Sequence, residues 1–162
     1  MNPAYIHLVL CHVPILLMPI GTFLLSLGLF KNNDTLKKIG HWFLILAAVC
    51  VIPVFLTGEP SEEIVKLVMG VNEPGIHPHE EMAEIALIST LLSGAFALLG
   101  LFSTYKKLFF ARPIVYLIIL FGVVSSGFLI YTGKLGGQIH HIELNPEVRT
   151  APIIQEFEVD PE

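Results

Sequence analysis

The sequence predicts an all-α integral membrane protein built as an antiparallel four-helix bundle. The first observation is composition: of 162 residues, 54% are hydrophobic and only 14% are charged, whereas soluble domains carry about 25% charged residues. The second is that the apolar residues fall into four runs, each near the roughly 20 residues that a helix needs to cross a bilayer. The third is that short polar loops join these runs, which predicts antiparallel neighbours.

The predicted transmembrane domain covers residues 1–133. Its spans are expected at about residues 6–30, 39–57, 78–102 and 113–132. An outer loop, residues 58–76, is hydrophilic. Pro60 suits the first position of a helix and acids follow it, so the loop is predicted to form a short lid helix on the membrane surface. Pro74 and Gly75 are expected to break that helix before the third span begins at Pro78.

Basic residues predict the orientation. Two loops, after the first and third spans, carry six of the nine Lys and Arg residues, and the positive-inside rule places both loops in the cytoplasm. Both termini and the lid then face the periplasm of a bacterial inner membrane, as does an extended acidic tail, residues 134–162. No basic stretch suits nucleic acid. The six residues are Lys31, Lys37, Lys38, Lys106, Lys107 and Arg112.

The third span has a face of small and polar residues, which is expected to point into the bundle because small residues let helices approach closely in lipid. Its members lie within about 40° of one another on a helix. On the first span, His7 lies in line with Pro14 and several small residues, whereas His12 sits about 140° away. His41, beside Trp42, is expected to be an interfacial anchor. The face of the third span comprises His79, Ala83, Ala86, Thr90, Ser93 and Ala97.

Histidines and carboxylates gather at the outer ends of the predicted spans. Ionisable residues at the edge of a bilayer are costly unless they pair or serve a site, so the cluster predicts either a binding site or a hydrogen-bonded network. The residues are His7, His12, Glu59, His77, His79, Glu80, Glu84, His140, His141 and Glu143.

The first interpretation is b-type haem. Haem iron takes one or two axial imidazoles in an apolar slot, with charged partners for the propionates. His12 and His79 are the expected ligand pair, and His7, His140 or His141 would meet the propionates or support the ligands. No Cys-x-x-Cys-His motif is present, which excludes c-type attachment. The protein would then be an electron carrier or a small subunit of a membrane redox complex, serving a periplasmic electron carrier, rather than an enzyme by itself.

Two alternatives remain open. One is a Zn, Fe or Cu ion bound by imidazoles and carboxylates, a donor set that suits these metals. The other is a structural subunit whose His–Glu network only pins the helix ends and the lid. Hydrolysis has no support, because the zincin-like start at His79 lacks its second histidine at Ala83. The ion-site residues would be His7, His79, His141, Glu59, Glu80 and Glu143.

Four motifs in order resemble a bacterial family of four-span inner-membrane proteins of unknown function, common in Bacteroidetes-type genomes. The resemblance covers about residues 3 to 145. Some relatives of that family are fused to Rieske-type domains, which implies membrane electron transfer by analogy. Val13 and His140 depart from the expected Phe and Arg, so the resemblance favours His141 over His140 for the site. The motifs are His7-x4-His12-x-Pro14, Thr57-Gly58-Glu59-Pro60-x-Glu62-Glu63, His79-Glu80-Glu81 and Gly136-Gly137-Gln138-Ile139-x-His141.

Overall fold

The computed structural model describes residues 3–69 and 73–140, which contain five helices and no strand. The predicted all-α four-helix bundle with a lid helix is confirmed. The last helix continues to His140, so residues 134–140 are helical and do not belong to an extended tail as predicted. The rest of the predicted tail, residues 141–162, lies outside the described part. The helices are α1 (Pro3–Phe30), α2 (Asp34–Leu56), α3 (Gly58–Met69), α4 (Glu73–Lys106) and α5 (Ala111–His140).

Four of these helices are long and apolar enough to cross a bilayer, which makes the chain a multi-pass integral membrane protein. Large apolar side chains project from their outer surfaces: Phe23, Val49 and Ile88 are each more than half exposed. Because no other helix covers these side chains within the described bundle, they face the lipid. The membrane segments are Pro3–Phe30, Asp34–Leu56, Ile76–Lys106 and Ala111–Ile139.

The four spans form a square. α1 packs against α2 and α5, and α4 packs against the same two helices, so α1 and α4 are diagonal. Consecutive spans run antiparallel, and therefore α1 and α4 both start at the same end, which is called the outer end after the predicted orientation. The lid helix α3 packs mainly against α1 at that end.

Small residues set the distances between the helices. A side-chain carbon added to Gly40 would lie 2.7 Å from the backbone nitrogen of Leu25 and 2.9 Å from the carbonyl oxygen of Gly21. α1 and α2 therefore touch backbone to backbone, as small residues permit in lipid. The predicted inward face of α4 is confirmed, and one of its members, Ser93, hydrogen-bonds Ser125 of α5 at 2.8 Å. The buried members are Ala86, Thr90, Ser93 and Ala97.

All five helices start before their predicted positions, and the difference is largest, about five residues, for α4 and α2. α4 begins at Glu73, so Pro74 and Gly75 lie in its first turn instead of breaking the chain before Pro78. Proline is tolerated there because first-turn amides have no intrahelical partner. α2 begins at Asp34, where the Asn33 side chain caps it by accepting a hydrogen bond from the Leu36 amide at 3.1 Å. Hydropathy marks the apolar part of a helix, whereas caps mark its end.

His41 is not the interfacial anchor that its position suggests. Its side chain is fully buried, whereas the neighbouring Trp42 is 54% exposed and suits that role. The His41 Nδ1 donates to the Lys37 carbonyl at 2.6 Å. Gly100 makes room for the ring, because a side-chain carbon there would lie 2.5 Å from Nε2. The anchor prediction for His41 was wrong because the space for its ring is provided by Gly100 of α4, a contact between helices that the local sequence around His41 does not show.

Gly40→Ala should destabilise the bundle by about 1–3 kcal/mol, because the added carbon meets backbone atoms that cannot move aside. Thermal unfolding in detergent measures the effect. Gly127→Ala is the control, since nothing lies within 4 Å of a side-chain carbon at Gly127. Because alanine has a higher helix propensity than glycine, the unfolding midpoint of Gly127→Ala should be unchanged or slightly raised. Equal midpoints for the two variants would contradict backbone contact at Gly40.

Candidate functional site

His7 joins the first two spans at the outer end. It lies near the start of α1, and its Nδ1 donates to the Val54 carbonyl of α2 at 3.0 Å. The same nitrogen lies 3.2 Å from the Thr57 hydroxyl, which itself bonds back to α2. The Val54 carbonyl lies in the last turn of α2 and also accepts hydrogen bonds from the Thr57 amide at 3.2 Å and the Thr57 hydroxyl at 2.9 Å. His7 thus fastens the outer ends of α1 and α2 together.

His79 does the same for the last two spans. It lies near the start of α4, and its Nδ1 donates to the Thr132 carbonyl of α5 at 3.0 Å. The ring packs close to the α5 backbone at Gly136, where a side-chain carbon would lie 3.0 Å from Cε1. The inward direction predicted for His79 therefore agrees with its half-buried position against α5.

The hydrogen bonds define the chemistry of both rings. When a neutral imidazole donates through Nδ1, its Nε2 carries the lone pair and can bind a metal. Metal-binding histidines commonly use this arrangement, in which the carbonyl fixes the tautomer and the ring orientation. Within residues 3–69 and 73–140, neither Nε2 has a hydrogen-bond partner. His7 and His79 lie near the starts of α1 and α4, the two diagonal helices, and therefore at the same end of the bundle.

The sequence contains a signal for this pairing that hydropathy reasoning does not use. His79 follows His7 by 72 positions, and Leu99-Gly100-Leu101-Phe102 follows Leu27-Gly28-Leu29-Phe30 by the same interval. The pair Thr57-Gly58 at the end of the first hairpin also recurs as Thr132-Gly133. The two hairpins therefore repeat one arrangement, in which a histidine at the start of the first helix bonds near the end of the second.

His12 occupies a different surface. It is exposed, and its Nδ1 donates to the carbonyl of Leu8, one turn earlier in its own helix, at 2.7 Å. The Cys11 thiol lies 3.6 Å from the same nitrogen. His7 and His79 thus each bond to a neighbouring helix, whereas the exposed His12 bonds to its own helix and points away from the bundle interior.

The carboxylates of the predicted cluster lie at the rim. Glu59 and Glu80 are exposed. Glu80 bonds to Glu62 of the lid, and this hydrogen bond, together with Lys66, lowers the pKa of the Glu62 carboxyl. His77 is paired with Glu81, both exposed, at 3.7 Å. The contact between Glu62 and Glu80 links the lid to α4, whereas His77 and Glu81 pair within α4. Neither contact adds an oxygen ligand to the two imidazoles.

A complete ion site is not formed by the described residues. They contain no group of three or more His, Cys, Asp or Glu side chains placed to hold a metal ion. Two residues of the predicted ion site, His141 and Glu143, lie outside the described part of the chain. What the described part does form is a pair of oriented imidazoles.

No family model, curated protein or solved structure matches the chain. The site is therefore interpreted from its own geometry.

Gly136→Val should displace the His79 ring from α5 and weaken its bond to the Thr132 carbonyl, because the added side chain occupies the space of Cε1. The test is the ¹³C NMR resonance of the His79 ring, which should shift while that of His7 stays in place. Gly137→Val is the matched control, since nothing lies within 4 Å of a side-chain carbon there. An unchanged His79 resonance in Gly136→Val would contradict this packing.

Proposed function

We propose that the protein binds b-type haem at the outer end of the bundle and transfers electrons there, with His7 and His79 as the axial ligands. One observation carries the proposal. Two imidazoles on diagonal helices reach the same end of the bundle, each with Nδ1 held by a carbonyl and Nε2 unbonded among the described residues. That is the state in which an axial histidine binds haem iron.

The number of ligands favours haem over a free ion. Porphyrin nitrogens supply the equatorial ligands of haem iron, so one or two imidazoles complete the site. Zinc and similar ions usually take three or four protein ligands. The imidazoles of His7 and His79 therefore suffice as the axial ligands of haem iron. An ion bound to His7 and His79 would need further ligands, and His141 and Glu143 are the predicted residues that could supply them.

The surroundings of the rings also suit a flat cofactor. Gly58 lies beside His7 and Gly136 beside His79, so a glycine rather than a bulky side chain borders each imidazole. Lys134, exposed on α5, supplies a cation at this end for a propionate. Bound haem would supply one-electron chemistry. The chain would fix the two ring planes, exclude water with its apolar helices, and leave the cofactor edge near the outer surface.

The proposed location follows from charge. Because the loops at the opposite end hold most of the Lys and Arg residues, that end is assigned to the cytoplasm and the haem to the periplasmic side of a bacterial inner membrane. The electron partner would be a periplasmic carrier or another subunit of a membrane redox complex. Relatives with Rieske-type domains, in the family that the motifs resemble, support the same assignment by analogy.

Purified protein should show haem absorption bands in reduced-minus-oxidised spectra. His7→Ala and His79→Ala should each remove or strongly weaken the bands, because each deletes one axial ligand. His12→Ala is the matched control, since it removes an exposed histidine from the same helix as His7, and its spectrum should match that of the parent. Metal analysis of the same samples should give iron in proportion to haem.

Other outcomes separate the alternatives. Stoichiometric zinc, iron or copper without haem bands, lost in His7→Ala, would replace haem with an ion. If the protein binds neither haem nor metal, and both histidine variants fold with lower stability, then the two rings serve only to hold the helix ends together. Loss of the bands in His12→Ala but not in His7→Ala would restore the ligand pair predicted from the sequence.

A further inference from the structure

The opposite end of the bundle contains a cavity of about 270 Å³. The loop between α1 and α2 and the loop between α4 and α5 both border it, so both hairpins contribute to it. Apolar residues such as Leu29 and Val115 form its inner wall. Its polar lining consists of Asn32, Asp34, Lys37, Thr104, Lys107 and Arg112.

The cavity has an excess of positive charge. Lys37 is paired with Asp34 at 2.6 Å, and Asp34 is the only acid in the lining. Lys107 and Arg112 have no ion-pair partner in the part of the chain that the structure describes. Lys38 does not line the cavity and instead lies over the Tyr105 ring, 4.4 Å from its centroid. The lining thus carries three cations and one acid, a net charge of +2.

The start of α5 adds to this charge. The first turn of a helix favours acids, because its free amides carry partial positive charge. The first turn of α5 contains no acid, and Arg112 stands there instead. Ala111 and Arg112 both line the cavity, so the unfavourable placement of a cation coincides with the cavity wall. A bound anion would relieve this repulsion and accept hydrogen bonds from the same groups.

Apolar surface continues from this end toward the lipid. Phe109, which lines the cavity, is 96% exposed. On α4, the side chains of Leu98, Leu101 and Tyr105 border an open groove of about 380 Å³. Headgroups and acyl chains meet at this depth of a bilayer, which suits a ligand that is anionic at one end and apolar at the other.

We infer that this cavity binds the phosphate group of an anionic phospholipid, held by Lys107, Arg112 and the start of α5. Free inorganic phosphate has the same anionic chemistry, but the apolar groove and the exposed Phe109 ring favour the lipid. Basic pockets between helices on the cytoplasmic side of membrane proteins bind such headgroups. The inference is independent of the haem proposal, which concerns the other end of the bundle.

The test is native mass spectrometry of the full chain in detergent with added phosphatidylglycerol or phosphatidylcholine. The parent protein should retain phosphatidylglycerol and not phosphatidylcholine. The double variant Lys107→Gln/Arg112→Gln should bind phosphatidylglycerol about 30-fold more weakly, because each cation near a lipid phosphate contributes about fivefold. The double variant Lys31→Gln/Lys106→Gln removes the same charge from exposed positions outside the cavity, and it should bind like the parent.

Competition with inorganic phosphate distinguishes the two sources. Displacement of phosphatidylglycerol only at high phosphate concentration assigns the cavity to the lipid. Saturable phosphate binding to the lipid-free parent, lost in Lys107→Gln/Arg112→Gln, assigns it to the free anion. The cavity would not be an anion site if the two double variants lost phosphatidylglycerol binding equally, or if the parent retained phosphatidylglycerol and phosphatidylcholine equally. Unfolding midpoints near that of the parent confirm that the variants are folded.

Discussion

Close approach of helices through small residues is the constraint on which this structure depends. Lipid provides little hydrophobic drive for one helix to bind another, so packing and hydrogen bonds must hold the spans together. Gly21 and Gly40 allow the backbones of α1 and α2 to touch, and Ser93 and Ser125 link α4 to α5. These contacts place α1 and α4 on one diagonal. Two distant histidines thereby reach the same end.

The two ends of the bundle then differ in chemistry. At the outer end, histidine rings fasten each hairpin through Nδ1 and keep Nε2 unbonded within the described residues, which suits metal coordination rather than packing alone. At the other end, cations border a cavity and suit an anion. Between them the buried polar groups are hydroxyls, such as Thr90, and no charged side chain is buried in the described core.

The fold was predictable because hydropathy, loop length and the small-residue face of α4 all report local physics. The site was predictable only in outline. Sequence periodicity separated His7 from His12 by angle, but the choice between them depends on which ring meets a carbonyl of α2, and that is a tertiary contact. The burial of His41 depends in the same way on Gly100 of another helix. The 72-residue repeat could have identified His7 as the counterpart of His79, since it relates whole hairpins rather than single faces.

The central claim, that His7 and His79 together hold a haem, is tested most directly by exchanging the ligands rather than deleting them. Methionine is also an axial ligand, and replacing histidine with it raises the reduction potential of haem iron. Redox titration of His7→Met and of His79→Met should show retained haem with a raised midpoint potential in both, whereas His12→Met should titrate like the parent. A potential that changes only in His12→Met, or in none of the three while haem remains bound, would contradict the account.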